Sequence, residues 1–307
     1  MSHLIGETAA VCTSVLWTLT SVFFASASRR IGALSVNAYR IVVAVILLGS
    51  THLIAFGTFE PSANNAQWFY MGLSGIIGLA LGDFGYFSAL ALIGPRRGVL
   101  LMSMAPIFSS LSAYLILDEI LSLWAIIGIA ITLTGVCLVI LEREEESGEV
   151  LLPNRKKTLG VLLGLGGSLG QGIGLVISKY GMMVVADDPS APLNPLSATF
   201  IRMLTATISI WLFVITTGRL SKVAHTSKDR KGMTRTIVGA MTGPFLGVWL
   251  SMVAVTYTAA GIAATLMSLM PVMIIPVVWI LYKEKTSWRG ILGAGIAVIG
   301  VAILFLM

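Results

Sequence analysis

Stretches of about twenty apolar residues recur along the whole chain, and they constrain its fold more than any other feature. A helix needs about 20 such residues to cross the hydrocarbon of a bilayer, where each backbone N–H and C=O must bond within its own segment. Ten stretches qualify, over residues 4–27, 34–57, 67–92, 96–117, 122–141, 158–184, 195–217, 236–258, 261–282 and 288–307. The spacing predicts an all-α integral membrane protein of ten transmembrane helices.

Composition points the same way. Of 307 residues 56% are hydrophobic and 11% are charged, with a mean hydropathy of +0.93, too apolar for a soluble domain to cover with polar surface. The net charge of +6 can signal nucleic acid, but these charges sit in loops between apolar blocks. The lipid bilayer is the expected partner, and no nucleic acid is. Cys12 and Cys137 lie inside apolar runs, where a thiol acts as a small hydrophobe, so no disulfide framework follows. The N-terminal run carries Glu7 and lacks a basic flank, so it reads as the first span and not as a cleavable signal.

The chain repeats itself. Leu101-Met-Ser-Met-Ala-Pro106 matches Leu266-Met-Ser-Leu-Met-Pro271, an offset of 165 from Pro106 to Pro271. The same offset carries Glu119 to Glu284, Gly128 to Gly293, Gly135 to Gly300, Gly78 to Gly243 and Gly82 to Gly247. An offset about three residues shorter brings Leu34, Ser35 and Arg40 onto Leu196, Ser197 and Arg202. The expected organisation is a first five-helix half over 1–141, a charged linker over 142–157 and a second five-helix half over 158–307. Five passes per half force the second half to enter the membrane in the opposite sense. An inverted repeat of this kind places a substrate site between the halves near the midplane, with rocking of one half on the other giving alternating access.

Orientation follows from the basic residues. Of 20 Lys and Arg, all but Lys179, Arg40 and Arg202 fall on loops of one face. That face is expected in the cytoplasm, with both termini on the outer side.

The quoted segments resemble the EamA-type members of the drug/metabolite transporter superfamily. In that family a short fourth helix with a Pro precedes an acidic turn that opens a Gly-spaced fifth helix. Here these are Pro106, then Asp118-Glu119 and Ser122-Leu-Trp124 with Gly128 and Gly135, and Pro271, then Lys283-Glu284-Lys285 and Ser287-Trp288 with Gly293 and Gly300. The resemblance covers essentially the whole chain and implies a ten-span carrier, without naming its substrate. Family members are often drawn with both termini in the cytoplasm, and with a basic loop after the second span. This chain has no Lys or Arg in that loop.

Charge inside a span is expensive unless paired or facing water. Asp83 lies roughly 14 Å from the basic face and Arg40 roughly 9 Å from it, at ~1.5 Å per residue, so the two can form an ion pair, either structural or concerned with substrate or proton coupling. Val248 stands where a repeat mate of Asp83 would be, which makes any such chemistry asymmetric. Candidate substrate-lining residues are the polar and aromatic ones within spans: Ser14, Trp17, Thr18, Tyr86, Ser103, Ser168, Gln171, Trp249, Tyr257 and Ser268. Each hydroxyl has a simpler reading as glue between helices. Pro106 and Pro271 fall mid-span, where each kinks its helix and frees a carbonyl. Glu119 and Glu284 read as carboxylates favoured at the N-terminus of the following helix. The glycines at four-residue spacing, among Gly160, Gly164, Gly166, Gly170 and Gly174 or at Gly239, Gly243 and Gly247, let helices approach closely; no strand precedes them, as a phosphate-cradling loop would need.

Enzyme chemistry has no support: His3, His52 and His225 are terminal or near loops, and no metal-spaced cluster or cofactor motif exists. The expected function is secondary transport of small organic metabolites, amino acids or drug-like amphiphiles, outward across a prokaryotic plasma membrane, by a monomer or homodimer. A flippase for a lipid-linked precursor, an importer of the same fold and a membrane-embedded enzyme are the alternatives.

Overall fold

The computed structural model describes residues 2–142, 154–186, 192–273 and 288–306, and every element in them is helical. The bounds are α1 Ser2–Ile31, α2 Ala33–Phe56, α3 Asn65–Ser74, α4 Asp83–Met102, α5 Ala105–Leu117, α6 Leu123–Glu142 and α7 Asn154–Met183. They continue with α8 Pro195–Thr216, α9 Leu220–Thr226, α10 Arg230–Ala240, α11 Val248–Tyr257, α12 Ala260–Met267 and α13 Trp288–Phe305. Seven described helical stretches are long and apolar enough to cross a membrane, and Leu123–Val139 and Ala260–Met273 are shorter apolar helices.

Local chemistry sets the ends. Asn64 opens α3 with a reciprocal capping box to Gln67; Asn194 caps α8 ahead of Pro195, a residue suited to the first helical position. Gly57 ends α2 in the left-handed conformation, φ 74°, and sends its N–H back to Leu53 O, the usual glycine stop. Some bounds differ from the sequence reading. Residues 154–157, expected in the linker, form the first turn of α7 with Arg155, Lys156 and Lys157 exposed, because the hydrogen-bonded helix continues past the apolar run into solvent. The basic loop over 218–235 likewise holds α9 and the start of α10, which Asp229 caps by accepting from Gly232 N–H. Of the remaining linker, 143–153 lies outside the described residues, as do Lys283, Glu284, Lys285, Ser287 and Met307.

The expected turn at 93–95 is helical throughout, yet the chain does reverse there. A straight helix would set Ala89 and Leu101 about 18 Å apart. Both pack on the Cα of Gly164, where an added β-carbon would lie 3.2 Å from Ala89 Cβ and 3.3 Å from Leu101 Cβ. The fold-back falls between these two residues.

Irregularities recur at the repeat offset. A π-helical segment, Gly75–Gly82, joins α3 to α4, and a second, Met241–Gly247, joins α10 to α11. Breaks follow at Ser103–Met104 and Ser268–Leu269. Packing pairs off in the same way: α7 lies on α3, its π segment, α4 and α5, while α1 lies on α10, its π segment, α11 and α12. The pairs α2–α8 and α6–α13 join equivalent helices of the two segments, and α5 packs on α12. In the α6–α13 seam backbones nearly touch: a β-carbon on Gly300 would meet Gly128 O at 2.8 Å, and one on Gly293 would meet Gly135 O at 3.0 Å.

Candidate functional site

The π segments matter because a wider turn advances the side chains that follow it, and such turns recur at functional sites. The first delivers Asp83 into the interior, 7% exposed. It packs against α7 at Gly170, Gly174 and Gln171, so that Gln171 Nε2 donates to Asp83 Oδ1 at 2.6 Å. Arg40, on α2 and 8% exposed, donates from Nη2 to Asp83 Oδ2 in an ion pair. The remaining faces of that guanidinium are also occupied. Nε donates to Asn37 Oδ1 at 2.8 Å, and Cζ lies 5.5 Å from the Phe24 ring centre and 5.1 Å from that of Phe87. A buried ion pair persists only when its remaining donors and lone pairs are met, and here Asn37 takes the Arg40 Nε–H while Gln171 donates to the second Asp83 oxygen.

Arg202, the repeat mate of Arg40, sits on α8 within electrostatic reach of the same Asp83 and is 3% exposed. Its surroundings are poorer: Nη1 reaches the Met252 sulfur at 3.1 Å, and Nε meets no acceptor among the described residues. The centre therefore brings together Arg40 and Asp83 from the first repeat with Gln171 and Arg202 from the second. Sequence reading placed Arg202 within a span but gave it no role, because Val248 offered it no acid; that the acid paired with Arg40 also lies within electrostatic reach of Arg202 is visible only in three dimensions.

The expected lining residues are placed less uniformly. Trp17 lies against Gly247, and Thr18 Oγ1 donates to Ser14 O at 2.8 Å and reaches Met270 O at 3.3 Å. Tyr86 is half-buried, one turn beyond Asp83 and against Phe87, and Trp249 is half-buried beside Phe245. The hydroxyls of Ser14, Ser103, Ser168 and Ser268 donate to Val11 O, Val99 O, Leu165 O and Thr265 O, at 2.7, 3.0, 3.0 and 2.7 Å. Each is thus bonded one turn back on its own helix, with only its lone pairs left for a ligand. Tyr257 is 42% exposed at the end of α11 and stands apart from the centre. Pro106 occupies the first turn of α5 and Pro271 follows the break after α12, so both prolines restart helices after a break, where their missing N–H is harmless.

Glu119 caps a helix, but not the one that follows it. Its Oε2 accepts from Ala260 N at 2.8 Å, at the start of α12, and its Oε1 pairs with Lys179 Nζ at 2.5 Å. Lys179 also donates to Thr258 O at 2.7 Å. The α5–α6 turn, the α11–α12 turn and α7 are thereby tied at one end of the molecule. The other end carries the basic loops, where Arg30, Ile31, His225, Thr226, Lys228, Asp229, Arg230 and Lys231 line a concavity of about 600 Å³.

Comparison with known proteins places this geometry. The model of the EamA-like transporter family matches residues 4–141 and matches again over 158–306. A protein of known crystal structure, 17% identical, superposes with a TM-score of 0.75 over 99% of this chain and 96% of its own, and so shares the fold. No curated protein matches.

Proposed function

Since the chain belongs to the EamA-like transporter family, we propose that it is a secondary carrier that exports small organic metabolites, amino acids or drug-like amphiphiles, across a prokaryotic plasma membrane. Ten spans form two inverted five-helix halves, 1–141 and 158–307, and the halves rock about a site on their pseudo-symmetry axis. The mutual packing of α1 and α7, each on the third and fourth spans of the other half, supports a two-fold relation. An odd number of passes per half makes that axis run in the membrane plane.

The observation that carries this reading is the buried centre of Arg40, Asp83, Gln171 and Arg202, assembled from both family-matched segments. Charges held in span interiors mark transport pathways. Trp17, Thr18, Tyr86, Trp249 and Ser268 complete an aromatic and hydroxyl wall around it, with Ser14, Ser103, Ser168 and Tyr257 further out along the path. The Glu119–Lys179 tie closes the end opposite the basic loops, and breaking it is the opening step on that side. Purified protein in liposomes should drive flux of a chemically unaltered solute, in a direction set by the imposed solute or proton gradient. Covalent conversion of the solute without flux would refute a carrier, and flux only inward would refute export.

A further inference from the structure

Arg202 is buried without the partners that make a buried guanidinium tolerable. Five N–H donors in a fixed fork seek acceptors, and a buried donor left unmet is destabilising. Arg40, at the matching place in the first repeat, meets a carboxylate, an amide oxygen and two ring faces. Arg202 meets a thioether, and its Nε meets no acceptor among the described residues. A residue with only a packing task here would be better served by Leu or Met, since replacing buried charge with apolar volume is often neutral or stabilising. Charge gives a second reason. Arg40, Arg202 and Asp83 together carry one positive charge in excess, and Gln171 adds none.

We propose that Arg202 is the subsite for a carboxylate on the transported solute, which completes the centre as a neutral assembly. This rests on the carrier reading and narrows its substrate class to organic anions and carboxylate-bearing zwitterions. The carboxylate accepts from the unmet Nε–H, and the Met252 thioether, flexible and weakly accepting, swings aside to admit it. Nη2 lies over Gly78, where a β-carbon would meet it at 3.3 Å, so the π segment packs on that side of the guanidinium and leaves its buried Nε to the solute. Asp83 tunes the site by attracting Arg202 and by repelling a second anion, which limits occupancy to one.

The test is ligand-induced thermal stabilisation of the full-length purified protein by acetate, benzoate, phenylacetate and L-phenylalanine, with benzamide and phenylacetamide as neutral counterparts. Wild type should prefer phenylacetate to phenylacetamide by at least about tenfold in half-saturating concentration. Arg202→Gln should abolish that preference, and Arg202→Lys, which keeps the charge but not the fork, should weaken carboxylate binding by about tenfold while remaining folded. The proposal is overturned if none of the four carboxylates stabilises wild type, if the amides do so equally, or if either variant keeps the full preference. Flux that favours neutral solutes would sink this proposal and leave the carrier standing. A carboxylate preference without flux of any solute would do the reverse.

Discussion

Asp83 is the residue whose surroundings depend most on charge balance. Its carboxylate is shared by Arg40, Gln171 and the field of Arg202. Asp83→Asn leaves two guanidinium groups without a counter-charge, and breaking a buried pair from one side costs about 3–5 kcal/mol. The variant should unfold at markedly lower temperature or lose flux, whereas Glu284→Gln should lose much less. Full flux and unchanged pH response in Asp83→Asn would remove the centre from the mechanism. Outside the spans, Asp229 is held below the ordinary carboxylate pKa, first by the Gly232 N–H and then by Arg30. A depressed folded-state pKa adds stability above the unfolded value and forfeits it as pH falls through the folded one. Thermal stability should therefore decline below about pH 4, and Asp229→Asn should flatten part of that decline; identical pH profiles would contradict the assignment. Sequence depth alone put Arg40 and Asp83 at compatible levels. It could not show that Gln171 completes the carboxylate, because that contact depends on which face α7 turns toward the first π segment. Nor could it show Glu119 capping α12, because short-range helix rules assign a boundary carboxylate to the next helix in the chain.

At the scale of elements, the apolar runs foretold most helices, while the π segments and the breaks at Ser103 and Ser268 had no sequence signal beyond glycines and prolines at the repeat offset. The first π segment lies where glycines let a helix press on a neighbouring backbone, at Arg202 O and Gly174, and the second where Gly243 and Gly247 meet the Thr20 and Trp17 side chains, conditions set by the neighbours. The α6–α13 seam offers a direct test. An added methyl at Gly135 collides with the backbone of Ala297 and Gly293, whereas one at Gly295, on the same helix pair, meets nothing within 4 Å. Gly135→Ala should destabilise by about 1–3 kcal/mol through overpacking. Gly295→Ala should instead stabilise by up to about 1 kcal/mol through helix propensity. Thermal unfolding in detergent reads both, and equal effects would mean that the seam is not packed as described.

For the molecule as a whole, charge sets direction. The basic loops gather at one end, where Arg30 bonds Asp229 at 3.0 Å, and the Glu119–Lys179 tie marks the other. A reporter fused after Met307 should be active on the outer side of the membrane, and cytoplasmic activity would invert the topology while leaving the fold intact.

A carrier of this design needs a water-accessible path between its two halves that reaches the charged centre. With Cys12 and Cys137 replaced, single cysteines at Trp17, Ser103, Gln171, Trp249 and Ser268 should react with a water-soluble thiol reagent and be protected by a transported solute. Cysteines at Ile131 and Ile296, on the α6–α13 pair, should not react. Labelling confined to the second group would place the path on the wrong helices and contradict the account.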